Sequence, residues 1–223
     1  MNAAVVNRLV LKDWYFNRGL LGLFLIGGLI ALGVSSVTHG FVRVMAAVMF
    51  MAASSAVMFM PIWTVVGERS QQNLPFIMSL PVSINDYTTA KVLGTILPAL
   101  ALWLAMIAAY VIFVTVCEPT RAGSIPITLV TFGMILAILC INLGVALVTE
   151  SEKPGILITI LCNIVFWFFW SFASQASFVL PDVSSPTIVW RPQILWLLAG
   201  DMAVIVLSLA VTFYLQSRKT DFL

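Results

Sequence analysis

Long apolar runs alternate with short polar breaks along this chain, and the runs have the length of membrane crossings. A helix of about 20 residues, rising 1.5 Å per residue, spans a hydrocarbon core of about 30 Å. Runs of that size or longer extend over about Gly19 to Val37, Phe41 to Val66, Ile84 to Cys117, Ile125 to Val148, Pro154 to Leu180 and Ile194 to Gln216. They are continuously apolar rather than alternating, which predicts helices and not the strands of a barrel. The third run would make roughly 50 Å of helix, more than the core needs. Its first two turns are therefore expected to project into water, with Pro98 kinking it where it meets the membrane. Pro154 suits a first helical turn, where an amide would lack a partner anyway.

The polar breaks are less uniform. In residues 1–18, Arg8, Lys12 and Tyr15 mark one side of a helix and Val6, Leu9, Val10 and Trp14 lie roughly opposite, with Asp13 interrupting the apolar face. The pattern predicts an N-terminal interfacial helix along the cytoplasmic leaflet, in contact with membrane lipids. Residues 19–223 then form one six-helix domain. Thr38-His39-Gly40, Glu118 to Gly123 and Thr149 to Lys153 read as short turns. Residues 181–193, broken by Pro181, Pro186 and Pro192, read as an outer loop containing a short re-entrant piece.

The largest polar break covers residues 67–90. Asn73 can cap a short helix that tolerates Pro75 in its first turn, and Pro81 ends it after about two turns. Ser83 and Asp86 have capping-box spacing for the helix that follows. Phe76, Ile77 and Leu80 share one face of the short helix. That face needs a cover, and spacing leaves three open: its own bundle, the lipid interface or another protein.

Composition turns the helical pattern into a fold class. The chain is 61% apolar and 9% charged, with a mean hydropathy of +1.09. A soluble domain carries charge on about a quarter of its residues, so this is an all-α integral membrane protein with six transmembrane helices. The net charge of +2 gives no reason to expect a nucleic-acid partner. With both termini cytoplasmic, eight of the 11 Lys and Arg residues fall on the cytoplasmic side; only Arg43, Arg121 and Arg191 fall outside. The positive-inside rule thus predicts a multi-pass protein of the cytoplasmic membrane, with the 67–90 loop on the cytoplasmic side.

Candidate chemistry is sparse. Cys117, Cys140 and Cys162 lack CxxC spacing and read as small packing residues. No phosphate loop, HExxH or GxSxG motif is present, so no catalytic, cofactor-binding or metal-binding residue is expected in this chain. Asp201 is the one acid clearly inside a span; it reads as a structural or interfacial residue, because no second intramembrane acid is placed to relay a proton. Five glycines in the first span (Gly19, Gly22, Gly27, Gly28 and Gly33) invite close helix approach. The methionines and small residues of the second span, and Phe166 to Trp170 in the fifth, make Met49, Ala53, Phe166 and Trp170 candidates for lining a path for apolar cargo. Ordinary packing is the competing explanation for each.

The residues around the polar loop resemble a known family. Glu68, a polar run, Phe76-Ile77-Met78-Ser79-Leu80-Pro81-Val82-Ser83 and then Lys91-Val92-Leu93-Gly94 at the start of the third span are similar to the loop of ABC-2 type permeases. The Arg8 to Trp14 leader resembles that family's N-terminal helix. The resemblance implies that the loop is a cytoplasmic coupling helix docking into a separate ABC ATPase subunit. Glu68, Leu74, Pro75, Phe76, Ile77, Ser79, Leu80 and Pro81 would form the coupling element. ATP and Mg would be bound by the partner, and the permease would pair with a second copy or a homologue. An ATP-driven exporter of a hydrophobic or amphipathic substrate is the implied function. A non-transporting sensor or scaffold could use the same loop to dock a cytoplasmic protein.

Overall fold

The described residues are built almost entirely of helix, as continuous apolar runs dictate when no water is at hand to satisfy the backbone. The computed structural model describes residues 3–37, 40–67, 84–149, 152–176 and 179–218. Along the chain come α1 (Ala3–Val37), α2 (Phe41–Ser55), α3 (Ile84–Cys117), α4 (Ile125–Thr149), α5 (Glu152–Gln175), the one-turn α6 (Leu180–Val183) and α7 (Pro192–Ser217). Among the described residues, six helical stretches are long and apolar enough to cross a membrane. The all-α, six-span architecture expected from the sequence is the one found.

Two boundaries differ from expectation. Helix α1 is a single 35-residue helix, so residues 3–18 continue into the first span without a break at Gly19. The second span is not one regular helix. After Ser55 it tightens into a 3-10 turn at Ala56–Phe59 and then widens into a π-helical turn at Ile62–Val66. Pro61 lies between them and has no N–H to give to the preceding turn. An unsatisfied carbonyl in apolar surroundings costs several kcal/mol, so irregular backbone here requires outside donors. Asn142 of α4 donates from Nδ2 to the Met58 carbonyl at 3.0 Å, and Lys91 of α3 donates to the Thr64 carbonyl at 3.2 Å.

Helix α4 is the central post. Its most apolar window is 83% buried, against 6% for α7, so α4 is enclosed while α7 presents a nearly bare outer face. Helices α5 and α7 pack on α4, and α1 packs on α2 and α3. Two helix pairs run parallel and in register. Asp13 meets Lys91 and Gly28 meets Met106, and both 91 − 13 and 106 − 28 are 78. Between α4 and α7, Gly133 meets Asp201 and Gly144 meets Thr212, each 68 positions apart (201 − 133, 212 − 144). A glycine stands at three of these four close approaches. A methyl group on Gly133 would lie 2.7 Å from Asp201 Oδ2. The close packing expected along the first span's glycines holds at Gly28 alone; a Cβ added at Gly19, Gly22, Gly27 or Gly33 would meet no neighbouring atom within 4 Å.

Candidate functional site

The end of the bundle where residues 67 and 84 flank the polar loop carries a buried ionic node. Lys91 sits one to two turns into α3, with its side chain 1% exposed, and Asp13 of α1 is 4% exposed. Lys91 Nζ donates to Asp13 Oδ2 at 3.0 Å, to Oδ1 at 3.3 Å and to the Thr64 carbonyl at 3.2 Å. Thr64 and Thr95 hydroxyls meet at 3.3 Å beside it, and Asn17 donates to the Asp13 carbonyl at 2.8 Å. Gly94 lies one turn beyond Lys91 on the same face, and a side chain there would meet Asp13 Oδ2 at 2.8 Å. The Lys91-x-x-Gly94 spacing thus has a structural cause: lysine supplies the charge, and glycine supplies the room for the carboxylate. Asp13, which interrupts an amphipathic pattern when read on α1 alone, is the buried partner that ties α1 to α3.

The node also corrects the expected exposure of α3. Asp86, Tyr87 and Thr88 are at most 5% exposed, so these three residues are covered by protein rather than standing in water. Tyr87 and Val92 pack there with Val65 from the π-helical turn and with Leu143 and Leu147 of α4. These contacts join α1, the second span, α3 and α4 beside both ends of the polar loop. The coupling residues expected from the sequence, Glu68, Leu74, Pro75, Phe76, Ile77, Ser79, Leu80 and Pro81, lie outside the described residues.

The far end of the bundle holds a cavity of about 370 Å³. Phe50 and Tyr110 line it and stack with ring centroids 5.9 Å apart. Behind them, Phe50 tilts against Phe132, whose carbonyl accepts a hydrogen bond from Trp103 Nε1 at 2.7 Å. Trp167 and Trp170 of α5 form another wall. The polar rim consists of Arg43, Glu118, Arg121, Ser124 and Tyr110; Arg43 and Arg121 both pair with Glu118, and the Tyr110 and Ser124 hydroxyls meet at 2.8 Å.

The expected path residues are dispersed. Met49 is 65% exposed on the outside of α2, whereas Ala53 and Phe166 are buried in the main apolar cluster. Trp170 is the one of the four that lines the cavity. Successive residues are about 100° apart on a helix, so the aromatic run divides: Phe166 points inward, Trp170 reaches the cavity, and Phe168 and Phe172 face outward at 72% and 75% exposure. The sequence reading did not find Arg43, Glu118 or Arg121 as a group, because three turn-flanking charges acquire meaning only when α2 and α3 are brought together.

Beside the cavity, the connection from α5 to α7 is clipped down. Arg191 donates to Asp182 through Nε at 2.5 Å and Nη2 at 2.9 Å, a two-pronged contact. The Gly123 amide donates to the Ser185 carbonyl at 2.9 Å, and any side chain on Gly123 would collide with the Asp182 carbonyl. The Arg191 hydrogen bonds hold the Asp182 carboxyl below its usual pKa. A lowered folded-state pKa contributes stability that is complete above the ordinary value, about 3.9, and lost as pH falls through the folded value. Arg191→Gln is therefore expected to speed hydrogen exchange at the Gly123 amide several-fold at neutral pH. The unchanged chain should show that acceleration only in acid. Equal exchange in both proteins at neutral pH would show that the pair does not hold the loop.

Six long apolar helical stretches among the described residues, with α4 enclosed by its neighbours, define a multi-pass integral membrane protein with a buried charged pair at one end. Residues 8–216 match the family model described as ABC-2 family transporter protein, and the chain belongs to that family. Comparison with curated proteins and with solved structures gives no match.

Proposed function

We propose that this chain is the permease subunit of an ATP-driven exporter, working with a separate cytoplasmic ABC ATPase and paired with a second copy or a homologue. ATP and Mg belong to the partner, and this chain supplies the path and the mechanical linkage. The observation that carries this reading is the Asp13–Lys91–Thr64 node. It lies where the 67–90 loop joins the bundle, and it fastens three helical segments together. A partner moving the loop would thereby move α1, the second span and α3 as a unit. Both termini and the loop face the cytoplasm in this reading, with Glu68 orienting the coupling helix and Phe76, Ile77 and Leu80 entering the ATPase.

Reconstitution with its ATPase tests the proposal. ATP hydrolysis should rise with a transported hydrophobic or amphipathic compound, and cargo should accumulate on the side away from the ATPase. In the same preparation, Ser70→Cys and Ser217→Cys should label from the ATPase side, and Thr120→Cys and Ser184→Cys from the other. Docking of an ATPase without any cargo movement would make the chain a scaffold. Labelling of Ser70→Cys from the opposite side would remove the coupling loop from reach.

A further inference from the structure

Taking the permease reading as its basis, we propose that the far-end cavity binds an anionic amphipath, a molecule with one negatively charged head and an alkyl chain. Its volume, about 370 Å³, falls within the roughly 300–1,000 Å³ of small-molecule sites. Hydrocarbon and aromatic side chains make most of the lining, with Leu32, Phe113, Trp167 and Trp170 among them, and this suits an alkyl chain. The charged rim sets the sign of the head. Arg43 and Arg121 face a single carboxylate, Glu118, leaving one positive charge in excess among the described rim residues.

Arg121 is the rim group best placed to bind the head. Its side chain is 51% exposed, and its contact with Glu118 at 3.4 Å uses Nη1. A guanidinium has five N–H donors, so others remain for a second anion, and their planar arrangement matches a phosphate or carboxylate. A cationic head would meet this excess of one positive charge and bind less well than an anion of the same shape. Helices α2 and α5 both contribute to the lining and do not pack closely on each other. The lining residues Ala47, Val48 and Trp167 of these two helices are exposed, so we take the gap between α2 and α5 as the entry by which a chain reaches the cavity from apolar surroundings.

The test uses the full chain in discs of zwitterionic lipid, without ATP or ATPase, and an ω-bromoalkyl phosphate as a quencher of tryptophan emission. Saturable quenching is expected, and the Trp167→Phe, Trp170→Phe double variant should lose most of it. Arg121→Gln should weaken binding about tenfold, the scale of one lost charge-assisted contact. Ala47→Phe, which narrows the opening and leaves the rim charges in place, should weaken it as well. The matching ω-bromoalkyl trimethylammonium should bind at least tenfold less tightly, and inorganic phosphate should not compete. Equal binding of the cation, or no effect of Arg121→Gln, would overturn the assignment of charge. Competition by inorganic phosphate would make this a free-anion site, and unchanged quenching in the tryptophan double variant would place the ligand elsewhere. Because nothing in the assay depends on ATP, binding can fail while ATP-driven transport stands, and transport can fail while binding stands.

Discussion

Lys91→Met is expected to destabilise the folded chain by about 3–5 kcal/mol, the usual cost of removing one member of a buried ion pair. The substitution preserves most of the side-chain volume, so the loss is electrostatic: the carboxylate of Asp13, 4% exposed, keeps its burial and loses its nearest cation. The Thr64 carbonyl loses a donor at the same time. Asp13→Asn alone should also destabilise. Combining it with Lys91→Met should recover part of the loss, because neither charge is then stranded, and the double-mutant cycle should return a coupling well above that of a surface pair. Unfolding of the purified protein in detergent, followed by near-UV circular dichroism, measures all four corners. A Lys91→Met protein as stable as the unchanged chain would show that the pair does not organise this end of the bundle.

Phe76→Ala combined with Leu80→Ala should abolish co-purification of the ATPase while leaving the permease itself folded. Burying a side chain of this size contributes about 1.5–3 kcal/mol, so two of them should change the dissociation constant by about a hundredfold or more. The contrast with Lys91→Met is informative. The loop variant should lose the partner and keep its thermal stability, whereas the node variant should lose stability first. Affinity capture at submicromolar concentration, with thermal unfolding of the permease alone, distinguishes the two. A double variant that still binds and transports would place the Phe76 face on the bundle or the lipid.

Much of the architecture was legible because hydrocarbon imposes a severe rule: a crossing segment must satisfy its own backbone and be apolar over about 20 residues. Ile84–Cys117 follows from that rule directly. The rule says less where one side chain repairs another segment's backbone. Pro61 is visible in the sequence, yet the apolar run continues through it, and the donors that make the break tolerable, Asn142 and Lys91, come from α4 and α3. Asp13 breaks an apolar face for the same reason. A helical wheel of residues 1–18 reports which residues share a face; it carries no information about a lysine 78 positions away. The cavity was harder still. Trp170 was reached through aromatic density, but Arg43 and Arg121 were counted only for orientation, and their convergence on Glu118 depends on how α2 and α3 come together.

The constant offsets in the two parallel helix pairs make the spans intolerant of changes in length. Each helical residue turns the chain by about 100° and advances it 1.5 Å. One residue inserted between Gly94 and Met106 would force a choice: if Lys91 keeps Asp13, Met106 swings away from the opening that Gly28 provides. The same holds between Gly133 and Gly144, whose partners Asp201 and Thr212 keep equal spacing along α7. Substitutions along these faces can be absorbed one at a time, but insertions and deletions dephase a whole helix. Changes in chain length in this protein therefore belong in the connections, and the spans between these glycines behave as fixed-length rulers.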